Sequence, residues 1–157
     1  MSKHDEYEPT ECGIEYTAPY ELKKATKGSA GYDLQSTETV TILPGKSKLV
    51  PTGVFLNFQA YEAPFADSFE AQVRSRSGLA YKHSVFVLNS PGTIDSDYTG
   101  EIKVILFNAG EQEYTVNEGD RVAQLVFCEL PSVTMSKVNQ VKHSETRGSG
   151  GFGSTGV

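Results

Sequence analysis

The chain has no tryptophan, only two cysteines, and no apolar run near the roughly 18 residues that cross a bilayer as a helix. Each absence excludes something. Cys12 and Cys128 lie far apart, with no CxxC pair and no zinc spacing, so neither a disulfide scaffold nor a structural zinc site is expected. They read as free thiols in a reducing compartment, with Cys128 packed in a strand. Without tryptophan, the apolar anchors are Phe, Tyr, Val, Ile and Leu. Without a signal peptide or a long apolar run, no membrane association is expected. A cytoplasmic setting follows, with a nucleus or organelle still open. Excess positive charge is missing too. The net charge of −6 argues against general nucleic-acid binding, which uses basic surface to displace counterions from phosphate. A nucleotide-sized anion needs only a local cluster of donors, and net charge does not exclude that.

Turn formers are plentiful. Fifteen glycines and seven prolines are spread along 157 residues, a length that suits one domain. Short β runs occupy residues 40–43, 48–51, 53–56, 69–73, 85–88, 102–107, 113–116 and 121–130. Strands of this length with frequent turn signals predict an all-β sandwich or barrel rather than a βαβ fold. One short helix is expected to begin at Ser77. The first 13 residues are polar and expected to be loosely ordered.

Five segments carry candidate chemistry. Ala30-Gly31-Tyr32-Asp33-Leu34 holds one carboxylate, which reads either as a turn residue or as a metal partner. Arg74-Ser75-Arg76-Ser77-Gly78 gathers basic and hydroxyl groups where the helix begins, a setting that suits phosphate or simply caps the helix. The stretch from Asn89 to Lys103 reads as a hairpin whose backbone could meet a base edge, with Asp95 and Asp97 in its loop. Gly119-Asp120-Arg121-Val122-Ala123-Gln124-Leu125 places a polar Gln among apolar strand neighbours. Residues 144–157 are dominated by Gly, Ser and Thr, a composition typical of a disordered tail. Yet Arg147 and Phe152 sit within it, as they would in a tail that closes over an anion and an aromatic ring.

In this order and combination, the five segments resemble the motifs of the trimeric deoxyuridine triphosphatase family, from about Ala30 to Gly156. The runs Gly-Thr-Ile-Asp-Ser-Asp-Tyr-Thr-Gly and Arg-Gly-Ser-Gly-Gly-Phe-Gly-Ser-Thr-Gly are the most specific. The resemblance implies a jelly-roll-like homotrimer with active sites at subunit interfaces. It implies a β domain over residues 1–143 and a tail, 144–157, that reaches over a site. The implied reaction converts dUTP to dUMP and pyrophosphate, which keeps uracil out of DNA and supplies dUMP for thymidylate synthesis. By position, Asp95 is the general base that activates water. Asn89 reads uracil with backbone groups near Thr93, Ile94 and Lys103, and Tyr98 lies under the deoxyribose. Arg76, Ser77, Gly78 and Gln124 bind phosphates. Arg147, Gly153 and Ser154 belong to the phosphate clamp, and Phe152 stacks on uracil. Asp33 holds water around a Mg2+ ion, with no direct protein ligand implied.

Two departures from the family pattern stand out. Ser75 occupies a position where the family usually has proline, so φ is freer there. Residues 59–67 form an insertion, either a tolerated surface loop or a partner-binding one anchored by Tyr61 and Phe65. Two other functions remain open at this point: a dCTP deaminase-related enzyme, and a nucleotide-dependent regulatory protein whose hydrolysis is secondary.

Overall fold

The computed structural model describes residues 13–58 and 68–152. Along the chain run β1 (Glu15–Thr17), β2 (Tyr32–Gln35), β3 (Val40–Ile42), β4 (Ser47–Asn57), β5 (Phe69–Arg74), α1 (Ser77–His83), β6 (Val85–Val87), β7 (Gly92–Ile94), β8 (Ile102–Asn108), β9 (Tyr114–Val116) and β10 (Arg121–Glu129). Two four-stranded sheets, ordered β1-β4-β8-β6 and β2-β10-β5-β7, are joined by the two-stranded pair β3-β9. Every pairing is antiparallel. The all-β expectation and the single short helix both hold.

Alternation along the strands explains the packing. In β8, Ile102, Val104, Leu106 and Asn108 are buried, while the residues between them turn outward or lie half-buried. β4 does the same with Val50, Thr52, Val54 and Leu56. These side chains meet Leu34, Ala71, Val73 and Leu125 of the other sheet in one core cluster. β4 bends at a register shift between Pro51 and Val54, where Gly53 takes φ +66°. The outer strands of both large sheets are short: β1, β6 and β7 have three residues each and β2 has four.

Tyr20 ties the approach to β2, donating its hydroxyl to the Gln35 carbonyl at 3.2 Å and accepting from the Gln35 N–H at 2.9 Å. Burial pushes this phenol above its ordinary pKa. Asn108 is fully buried. Its amide donates to the Ile42 and Gln112 carbonyls at 2.9 and 2.8 Å, and its Oδ1 accepts from the Gly110 N–H at 2.9 Å. Asn108→Ala strands these three groups and is expected to cost about 2–4 kcal/mol. Denaturant unfolding at one fixed protein concentration measures it.

The apolar strands that flank the stretch from Asn89 to Lys103, β6 and β8, pair antiparallel, as a hairpin requires. The connection between them is longer than a tight turn: β7 leaves it to pair with β5 of the other sheet, and residues 95–101 cross back to β8. Apolar content does not say which sheet a strand joins, so this excursion is not legible in the sequence. Cys128 lies in β10, half-buried as a free thiol. Cys12 and the insertion at 59–67 lie outside the described residues, as does most of the polar start.

Candidate functional site

The central position of β10 gathers three of the five segments. Gln124 stands opposite Asp33 of β2 on one side and Arg74 of β5 on the other. Asp33 is held between two guanidinium groups, its Oδ1 3.4 Å from Arg76 Nε and its Oδ2 3.6 Å from Arg121 Nη1. Arg76 also donates from Nη1 to the Arg121 carbonyl at 3.2 Å. The Gln124 side chain donates from Nε2 to the Ser75 carbonyl at 3.0 Å. It can lie there because Gly31 has no side chain: a Cβ at Gly31 would come within 2.5 Å of Gln124 Oε1. Gly31, Asp33, Arg76, Ser77, Gly78 and Gln124 together line a cavity of about 200 Å³. Arg76 precedes α1 in extended conformation with no side-chain capping bond, so the reading of a helix cap with solvated arginines does not hold. Arg121 is the member that the sequence left without a role, although it lies inside the fourth segment.

A second cavity, of about 500 Å³, lies where the chain crosses between the sheets. Asn89, Gly92, Thr93, Ile94, Asp95, Tyr98, Glu101 and Lys103 line it. Gly92 is packed on Val73, and a Cβ there would sit 3.5 Å from Asn89 Nδ2. The turn at its mouth is closed by Tyr98 N–H donating to the Asp95 carbonyl at 3.1 Å. Tyr98 folds back over Gly100 and donates its hydroxyl to the Glu101 carbonyl at 2.9 Å. A Cβ at Gly100 would lie 2.6 Å from that hydroxyl and 2.7 Å from Tyr98 Cζ, so only glycine seats the ring this way. Glu101, which the sequence did not single out, accepts from the Gly53 N–H at 3.0 Å and stands 3.6 Å from Lys103 Nζ. It thereby ties the β4 bend to the wall of this cavity. Asp95 is exposed, and among the described residues its carboxylate has no hydrogen-bond or ion-pair partner.

No residue lines both cavities. The third set of expected residues joins neither. Arg147 is exposed and folds onto its own tail, donating from Nε to the Gly150 carbonyl at 2.9 Å. Ser144 Oγ accepts the Arg147 and Gly148 N–H groups at 3.3 and 2.9 Å. Phe152 is exposed, with φ +50°. Gly153 and Ser154 lie outside the described residues. Among the described residues, no group of three or more His, Cys, Asp or Glu side chains could enclose a metal ion. No helix among them is long and apolar enough to cross a membrane.

A dUTPase family model matches residues 20–156. The chain belongs to the dUTPase family. Curated relatives agree. The deoxyuridine 5'-triphosphate nucleotidohydrolase of Rhizobium leguminosarum bv. trifolii is 50% identical over 137 residues, 84% of this chain and 82% of the relative. That of Rickettsia felis is 46% identical over 135 residues, 85% of this chain and 86% of the relative. Among solved structures, the dUTPase of Staphylococcus bacteriophage 80alpha with dUPNHPP superposes with a TM-score of 0.79 at 23% identity, over 92% of this chain and 99% of that one. The dUTPase of phage phi11 of S. aureus, a structure described by its coordination of a structural Mg(II) ion, gives 0.69 at 21% identity, over 83% and 99%. These likenesses establish the jelly-roll fold of the dUTPases. Family membership makes the chain a dUTP diphosphatase.

Proposed function

We propose that the chain hydrolyses dUTP to dUMP and pyrophosphate, with the nucleoside in the larger cavity and the phosphates in the smaller one. The observation that carries this reading is the 500 Å³ cavity, which combines an amide reader, an aromatic floor and an unpartnered carboxylate at its mouth. Asn89 and the backbone of Thr93, Ile94 and Lys103 pair with the uracil edge. Cytosine would leave these groups unpaired, a heavier penalty than a lost contact. Tyr98, seated over Gly100, closes off the space a 2′-hydroxyl would take. Asp95 accepts a proton from water as its oxygen attacks the α-phosphorus. The bond from that phosphorus to the bridging oxygen breaks, and pyrophosphate leaves.

Arg76, Ser77, Gly78 and Gln124 hold the phosphates. Two supports favour a shared site in a homotrimer: the cavities are separate within one chain, and Arg147 and Phe152 serve neither of them there. In this reading the tail, residues 144–157, brings Arg147, Phe152, Gly153 and Ser154 to a site on a neighbour. Asp33 already lies between the Arg76 and Arg121 guanidinium groups, so a Mg2+ ion would be held by phosphate oxygens and its own waters and would offset charge when bound. Asp33 would contact it through water. A cytoplasmic setting belongs to the same reading, supported by the free thiol of Cys128.

Pyrophosphate release from dUTP with Mg2+ is the direct assay. Ammonia release from dCTP in its place would overturn the reading. Gly100→Ala should unseat Tyr98 and lower the preference for dUTP over UTP by about 10-fold or more. The ratio of kcat/KM for the two nucleotides reads this out, and an unchanged ratio would remove Tyr98 from its assigned place.

A further inference from the structure

We infer that Ser75 is a positioning residue that fixes both cavities at once, its hydroxyl holding the turn that carries Asn89 and its carbonyl holding Gln124. This rests on the proposed dUTP reading and adds a residue to it. Two contacts carry the inference. Ser75 Oγ accepts the Val87 N–H at 2.9 Å. The Ser75 carbonyl accepts Gln124 Nε2 at 3.0 Å.

The first contact matters because of where Val87 lies. β6 is an outer strand, paired on one side only, with β8. Leu88 N–H points to β8, donating to the Ile105 carbonyl at 2.9 Å. Successive N–H groups of a strand point to opposite sides, so Val87 N–H points to the open edge. Val87 is only 1% exposed. A buried N–H there needs a protein acceptor, and Ser75 Oγ supplies it. Val87 is also the root of the Asn89 turn: its carbonyl accepts the Ser90 N–H at 3.2 Å. Asn89 therefore hangs from a residue whose other face Ser75 pins.

The second contact matters because Ser75 directly precedes Arg76, Ser77 and Gly78. Its carbonyl fixes Gln124, and Gln124 in turn fixes the start of that loop. Proline, the residue of the family pattern at this position, would restrain the loop through φ but offers no hydroxyl to Val87. In this chain a tertiary hydrogen bond does part of what a ring would do, and it reaches further.

Competitive inhibition of dUTP hydrolysis by dUMP and by pyrophosphate tests the two arms separately. Ser75→Ala removes the bond to Val87 but keeps the carbonyl that Gln124 meets, so inhibition by dUMP should weaken about 5-fold, the scale of one lost hydrogen bond, and inhibition by pyrophosphate by less. Ser75→Thr keeps the hydroxyl and should stay near the parent for both. Ser75→Pro restrains φ without the hydroxyl, so pyrophosphate inhibition recovers while dUMP inhibition stays weak. If Ser75→Ala does not fold, Ser75→Cys, with a weak sulfur acceptor, should show the same weakened dUMP inhibition. Inhibition unchanged for both ligands in Ser75→Ala or Ser75→Cys, or recovery of both in Ser75→Pro, overturns the inference. A parent protein that does not release pyrophosphate from dUTP overturns the functional reading instead.

Discussion

Asp95→Asn should still bind a non-hydrolysable dUTP analogue near parental affinity and lose about 10²–10⁴-fold in turnover. The substitution keeps shape and removes the proton acceptor. Its local cost is small, because the Asp95 contribution to the turn is its backbone carbonyl, which accepts from Tyr98 N–H. The carboxylate holds no partner among the described residues, so asparagine breaks no ion pair. The groups proposed to hold the nucleoside, Asn89 and Tyr98, keep their supports at Gly92 and Gly100. Titration calorimetry with the analogue separates binding from chemistry, and pyrophosphate release measures the chemistry. Turnover within a few-fold of the parent would remove Asp95 from the role of base.

Deleting residues 144–157 should reduce turnover by 10²-fold or more, on the scale of losing a positioned cationic clamp and a closing lid. The proposed trimer should persist, because within one chain Arg147 and Gly148 bond to the tail itself. Arg147→Ala should fall between the deletion and the parent. Sedimentation velocity reads assembly, and steady-state kinetics read turnover. A deletion that dissociates the assembly would show the tail to be a structural tie; one that leaves turnover intact would show it to be dispensable.

Much of this was legible in the residues, and the exceptions have a common cause. The long strands announced themselves through alternation or β-branched runs, as in β4 and β8. β1, β2 and β7 did not. β3, β6 and β9 are as short yet were legible, because every residue in them is β-branched or aromatic, whereas β1, β2 and β7 carry Glu, Asp, Gln or Gly and are held in the strand by long-range partners. The five segments could be read in order, and the helix start at Ser77 with them. Their sorting into two cavities could not. It depends on the register that sets Gln124 beside both Asp33 and Arg74, across sequence separations no local pattern spans. For the same reason Arg121 and Glu101 were passed over: each matters through a partner distant in the chain. The Ser75 position could be marked as unusual, but the Val87 N–H it meets appears only in three dimensions.

The short outer strands have a consequence for how the protein behaves when crowded. An exposed sheet edge is a template on which a second molecule can add its own strand, and the hazard grows with the length of unpaired backbone. Here the longest strands are only partly flanked on both sides: β4, with 11 residues, meets β1 over residues 55–57 alone, and β10, with 9, meets β2 over its first half and β5 over its second. Each rim ends after three or four residues, and along β6 the open N–H of Val87 is already taken. Among the described residues, a second molecule could therefore add little backbone at any rim, and edge-to-edge stacking would have to begin on the uncovered stretches of β4 or β10.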